Sequence, residues 1–157
     1  VYKQDGREIH QGVEAFATGN LLPSLTLSGG FTLMSAEVEK EEDDPDLEGK
    51  TPVDVPERMA RIFLEYRFPG VLKGLAISAG GNYNGKRPVD AYNTDWIHSV
   101  TTFDAGLRYR MPFPQEHMTT LMFNVSNLLD KTYWESYESG LRLGSPRLFS
   151  LAMKMEL

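Results

Sequence analysis

The feature that most constrains this chain is a repeat of two. In residues 24–36, Leu25, Leu27, Gly29, Phe31 and Leu33 fall on every second position, with Thr26, Ser28, Gly30 and Thr32 between them. Successive side chains of a strand point to opposite faces, whereas a helix repeats every 3.6 residues, so the pattern specifies a strand with one apolar and one polar face. It recurs down the chain. Ala60, Ile62, Leu64, Tyr66 and Phe68 alternate with Arg61, Phe63, Glu65 and Arg67, and Leu75, Ile77, Ala79, Gly81 and Tyr83 alternate with Ser78, Gly80, Asn82 and Asn84. Phe103, Ala105, Leu107, Tyr109 and Met111 then alternate with Thr102, Asp104, Gly106, Arg108 and Arg110. Leu121, Phe123 and Val125 follow, and the closing run sets Phe149, Leu151, Met153 and Met155 against Ser150, Ala152, Lys154 and Glu156. With a first strand over 13–18, between Gly12 and Gly19-Asn20, this predicts about seven strands in an antiparallel up-and-down meander.

The connections alternate in length. Short ones are expected around 19–23, 69–74 and 112–117, and long ones over 37–55, 86–97 and 127–146. The first long connection is an exposed acidic loop carrying Glu39, Glu41, Glu42, Asp43, Asp44, Asp46 and Glu48, broken by Pro45 and Gly49.

Two architectures share this alternation. A soluble β-sandwich or small barrel turns its apolar faces to a core, and a membrane barrel turns them to lipid. Three features favour the membrane barrel. Short turns at one edge and long loops at the other match its asymmetry. Phe68, Tyr83, Phe103, Tyr109 and Phe149 sit near the ends of apolar faces, as an interfacial girdle requires. Strands of about ten residues are long enough to cross hydrocarbon at a tilt, longer than the soluble average of about five or six. The sandwich, binding a small ligand or a protein partner, stays as the alternative.

Composition narrows the partners. A net charge of −6 on 157 residues disfavours nucleic acid, whose phosphates call for a basic surface. The absence of cysteine excludes disulfides, thiolate metal sites and cysteine catalysis. No apolar run is long enough for a transmembrane helix. The chain opens on Val1-Tyr2-Lys3-Gln4 without a leader and reads as a fragment or a processed product.

No catalytic constellation emerges, so no enzyme is expected. His10, His98 and His117 lie in separate segments without metal-ligand spacing, Gly80-Gly81 lacks the setting of a phosphate loop, and the acidic loop lacks EF-hand spacing. The long loops are the expected functional surface. Arg87, Tyr92, Trp96, Tyr133, Trp134, Tyr137 and Arg142 combine aromatic area with cationic or hydrogen-bonding ends, which suits bulky anionic ligands. Trp96, Tyr133 and Trp134 read equally well as interfacial anchors. Arg61, Glu65, Arg67, Asp104, Arg108 and Arg110 share the polar face and are expected to pair with one another or with an internal partner.

Several motifs resemble a known family. Gly12-Val13-Glu14 resembles a glycine-x-glutamate strand opening, and Val55-Pro56-Glu57-Arg58 resembles a valine-proline step. Asp104-Ala105-Gly106-Leu107-Arg108-Tyr109 resembles an aspartate-x-glycine-x-x-tyrosine strand. Asn124-Val125-Ser126-Asn127-Leu128-Leu129-Asp130-Lys131-Thr132-Tyr133 resembles a penultimate-strand signature, and Gly144-Ser145-Pro146-Arg147 resembles a closing glycine-x-proline-arginine. In this order, across nearly the whole chain, they resemble the TonB-dependent outer-membrane receptors, and among them the siderophore receptors. The resemblance implies the C-terminal third of a 22-stranded barrel, with residues 1–157 all barrel and the plug domain absent. It implies a receptor in the bacterial outer membrane that imports ferric siderophores as transported ligands, with no covalently bound cofactor and no resident metal. The implied partners are the siderophore, outer-membrane lipid, the barrel-assembly machinery and the TonB energising complex, the last reached through the missing N-terminal part. The family usually closes on an aromatic residue, whereas this chain closes on Leu157. A fragment with two unpaired strand edges is expected to self-associate by pairing them with a second copy, or to close irregularly.

Overall fold

A computed structural model describes residues 6–113, 117–137 and 140–156. Seven strands form one antiparallel sheet in chain order: β1 Arg7–Leu22, β2 Leu25–Lys40, β3 Arg58–Arg67, β4 Leu75–Asn84, β7 Val100–Phe113, β8 His117–Ser126 and β11 Leu148–Glu156. Two small hairpins lie inside the long connections, β5 Arg87–Pro88 with β6 Trp96–Ile97, and β9 Trp134–Tyr137 with β10 Gly140–Leu143. The meander and its strand count agree with the alternation in the sequence.

Register carries that alternation across the whole sheet. Gly29 pairs with Ile62, Ile62 with Gly81, and Gly81 with Phe103, all on the apolar face. Two residues further toward the turns, Leu27, Leu64, Ala79, Ala105, Val125 and Phe149 form the next apolar row. No second layer covers this face among the described residues, and Val13, Ile62, Leu151 and Met153 are all more than half exposed. A soluble sandwich would bury these side chains against a facing sheet.

The opposite face carries the polar set. Arg108 pairs with Glu65 at 2.8 Å and Arg110 with Glu156 at 3.0 Å. Arg67 donates to Thr26 Oγ1 at 3.0 Å, and Asn82 Nδ2 donates to Asp104 at 2.8 Å. Arg61 alone of the expected polar-face arginines has no partner among the described residues. This face lines a trough of about 700 Å³ in which Phe16 and Phe63 interrupt the polar pattern.

The element bounds differ from the sequence expectation in one instructive way. The first strand is 16 residues long rather than six, and β2 continues to Lys40, into what reads as acidic loop. Above Val13 and Leu33 both faces of this hairpin mix polar and apolar residues: Gln11 lies beside Ser35 and Ile9 beside Glu37 on one side, and His10 beside Ala36 and Glu8 beside Val38 on the other. Without a polar contrast the period of two disappears, although the backbone ladder runs on. Among the described residues, Pro88, Ile97 and Val100 are buried beneath the long loops, and Ala36, Ala76 and Val125 are buried within the sheet.

Candidate functional site

All three long connections emerge from one edge of the sheet. Residues 41–57 join β2 to β3, residues 85–99 join β4 to β7, and residues 127–147 join β8 to β11. Their backbones bend through left-handed conformations that asparagine and aspartate tolerate, at Asp54 (φ 62°), Asn93 (58°), Asn127 (49°) and Asp130 (53°).

The first two loops are locked together. Asn93 Nδ2 donates to the Thr51 carbonyl at 2.8 Å, and Asn93 Oδ1 accepts from the Thr51 N–H at 2.8 Å. That pair copies a backbone ladder from a side chain. Arg87, buried beneath the loops, forms an ion pair with Asp54, whose N–H in turn donates to the Pro88 carbonyl at 3.1 Å. Tyr92 donates its hydroxyl to Asp44, and that carboxylate raises the phenol above its ordinary range. Asp90 caps its own turn, accepting from the N–H groups of Tyr92, Thr94 and Asp95 and from the Thr94 hydroxyl. These donors, led by the Thr94 N–H, hold its carboxyl below the usual range.

The third loop is clamped at its base. Asn127, 4% exposed, donates from Nδ2 to the carbonyls of Lys131 (2.9 Å) and Ser145 (3.0 Å), and its Oδ1 accepts from the Lys131 N–H. Its own N–H donates to Asp104, and Asp130 accepts from the Arg147 N–H at 2.9 Å. The asparagine, aspartate and arginine of the two C-terminal motifs therefore pin both ends of the loop to the wall.

The seven sequence-selected residues occupy different settings at this edge. Arg87 lies under the loops, held by Asp54. Tyr133 is partly buried, and that burial, reinforced by Glu135, pushes its phenol up; a side chain on Gly144 would run into its ring. Arg142 pairs with Glu135 at 3.2 Å across the β9–β10 hairpin. Lys86 Nζ sits 4.7 Å above the Trp96 ring. Tyr92 and Trp134 are the open aromatic surfaces, 49% and 52% exposed. The Tyr137 side chain lies outside the described residues. Asp54, Asp90 and Asn93, which build the site, carry only the signal of Asn and Asp spaced through otherwise irregular segments, whereas Asn127 lies in the penultimate-strand signature.

Residues 1–128 match the family model described as TonB dependent receptor-like, beta-barrel. The chain belongs to the TonB-dependent receptor β-barrel family. This receptor segment is 33% identical over 134 residues to the ferrichrome outer membrane transporter/phage receptor of Escherichia coli K12, covering 84% of the segment and 18% of that protein. It is 31% identical over 159 residues to the metal-pseudopaline receptor CntO of Pseudomonas aeruginosa, covering 98% of the segment and 22% of that protein. Its fold superposes on the crystal structure of BauA, the ferric preacinetobactin receptor of Acinetobacter baumannii, with a TM-score of 0.87 at 30% identity, over 95% of the segment and 22% of that chain. The segment thus spans about a fifth of the length of the relatives it matches.

Proposed function

We propose that this chain is part of the wall of an outer-membrane receptor that captures ferric siderophores at its long-loop edge and passes them inward. The observation that carries the reading is the locked loop edge: polar ties fix the backbones of three long loops, leaving Tyr92 and Trp134 open to a ligand. Rigid aromatic surfaces bind bulky ligands at little entropic cost. Trp96 adds a ring beneath a cation, and Arg142 a guanidinium at the hairpin, while Arg87 and Tyr133 support the loops from below. The names of the relatives support metal chelates as the ligand class.

In this reading the apolar face meets lipid and the polar face lines the lumen. Transport involves no covalent step by these residues; the ferric chelate is cargo, and the driving energy comes from the TonB complex acting on a plug outside this segment. The complete receptor carrying this wall is tested by quenching of its tryptophan fluorescence with a panel of ferric hydroxamate, catecholate and carboxylate chelates. Saturable quenching by one class, lost when Tyr92 and Trp134 are both changed to alanine, is the expected result. A receptor that binds none of them, or binds equally well without both rings, overturns the reading.

A further inference from the structure

Near the long loops the outward face of the wall gains a cation. Phe31, Ala60, Tyr83 and Thr101 form its last largely apolar row toward the long loops. In the next row Arg58 stands beside Leu33 and opposite Gly85, whose N–H donates to the Arg58 carbonyl at 2.8 Å. Arg58 is exposed and has no ion pair or side-chain hydrogen bond among the described residues. One residue past Gly85, exposed Lys86 is held over the Trp96 ring. Between the two cations lies a cleft with Tyr83 and His98 on its walls and Glu57 at its edge, and it continues past Arg58 along Leu33. The other end of the same face closes on Tyr66 and Tyr109 instead.

We infer that the cleft between Arg58 and Lys86 docks the phosphate-bearing headgroup of a lipid in the leaflet at the long-loop end. The inference rests on the reading that the apolar face meets lipid. An arginine at the last row of such a face lays its stem along acyl chains and puts its guanidinium at headgroup depth. Its planar fork takes a phosphate through two parallel hydrogen bonds, and an ammonium a few residues away supplies a second positive charge. Tyr83 suits the same depth, with its ring toward the chains and its hydroxyl toward water. Leu33 and Phe31 continue the surface along which those chains run. Glu57 is the one carboxylate lining the cleft among the described residues, and it acts against the anion.

The complete receptor is first folded into phosphatidylcholine vesicles, with heat-modifiable migration reporting insertion. The detergent-solubilised receptor is then titrated with bis-phosphorylated lipid A and with the same lipid stripped of phosphate, and retention is read by native mass spectrometry. The expected result is preferential retention of the phosphorylated lipid. Arg58→Gln and Lys86→Gln should each weaken it by about fivefold, the worth of one cation near an anionic headgroup. Glu57→Gln should strengthen it, and Arg67→Gln on the opposite face should leave it unchanged. Equal retention of both lipids, or a Glu57→Gln change that weakens binding, overturns the proposal while leaving the membrane reading intact. Displacement of the lipid by millimolar inorganic phosphate would make the cleft a free-anion site and overturn the lipid assignment. Failure to insert into vesicles overturns the membrane reading and the proposal with it.

Discussion

Asp104 Oδ1 accepts a hydrogen bond from the Asn127 N–H at 3.0 Å, so a carboxylate on the polar face of β7 fixes the first residue of the last long loop. The other oxygen of the same carboxylate accepts from Asn82 on β4 at 2.8 Å. One side chain thereby joins two strands and a loop at the point where wall becomes binding surface.

Asn127→Ala removes three side-chain hydrogen bonds at a buried position and leaves alanine at φ 49°. The expected cost is about 2–4 kcal/mol, from unpaired carbonyls and left-handed strain together. Chemical denaturation of the folded receptor measures it. Asn127→Gly should recover only the strain, and a loss under half a kcal/mol for alanine would mean the clamp is dispensable.

The outward face offers a test of its solvent. Ile62 is 52% exposed in the middle of the apolar face. If that face meets hydrocarbon, Ile62→Arg costs about 2–4 kcal/mol, whereas an exposed site in water would tolerate it within about half a kcal/mol. Folding free energies in vesicles for Ile62→Arg and for Arg61→Ile, its neighbour on the polar face, separate the two.

Asp90 gives the site a pH dependence with a defined sign. Its folded pKa lies below the ordinary carboxylate value, because backbone donors favour the charged form. The turn it caps is therefore fully supported above the ordinary value, and that support is lost as pH falls through the depressed one. Tyr92 has the opposite sign: its raised phenol keeps the tie to Asp44 below the ordinary tyrosine value and releases it as pH rises through the raised one. Amide protection at Thr94 and Asp95, taken relative to the unstructured exchange rate at each pH, should fall at strongly acidic pH, with Asp90→Asn showing lower protection already at neutral pH. Constant protection across the acid limb would remove Asp90 from this role.

Arg87→Ala leaves Asp54 without its cation and opens the buried seam between the first two loops. About 1–3 kcal/mol of local stability should go with it. Limited proteolysis is expected to cut both 41–57 and 85–99 faster, because the two are tied to each other. Cleavage confined to one loop would show that they move independently.

The sheet was legible because its two faces differ. Ile62 against Arg61, or Leu107 against Arg108, can be sorted without coordinates, and turn residues such as Pro69-Gly70 mark where the chain reverses. Legibility failed where that contrast failed, along 7–12 and 37–40, whose ladder is held by backbone bonds that leave no trace in side-chain polarity. The site was harder to read for a related reason. Tyr92 and Trp134 stand out by residue type, but the residues that orient them act through geometry. Asn93 and Asn127 look like ordinary loop residues until their amides are seen replacing missing backbone partners. Arg87 has the chemistry of a ligand contact, and only its burial beneath the loops reveals a structural role.

The union of the first two loops also bears on how such receptors can be altered. Because Thr51 and Asp54 on one loop are held by Asn93 and Arg87 on the other, neither loop is a separable cassette. A graft that replaces 41–57 from a relative, but keeps 85–99, brings in a loop whose fasteners are cut for a different counterpart. Exchange of binding character between relatives should proceed through both loops together, with β3 and β4 carried along between them as the smallest transplantable block.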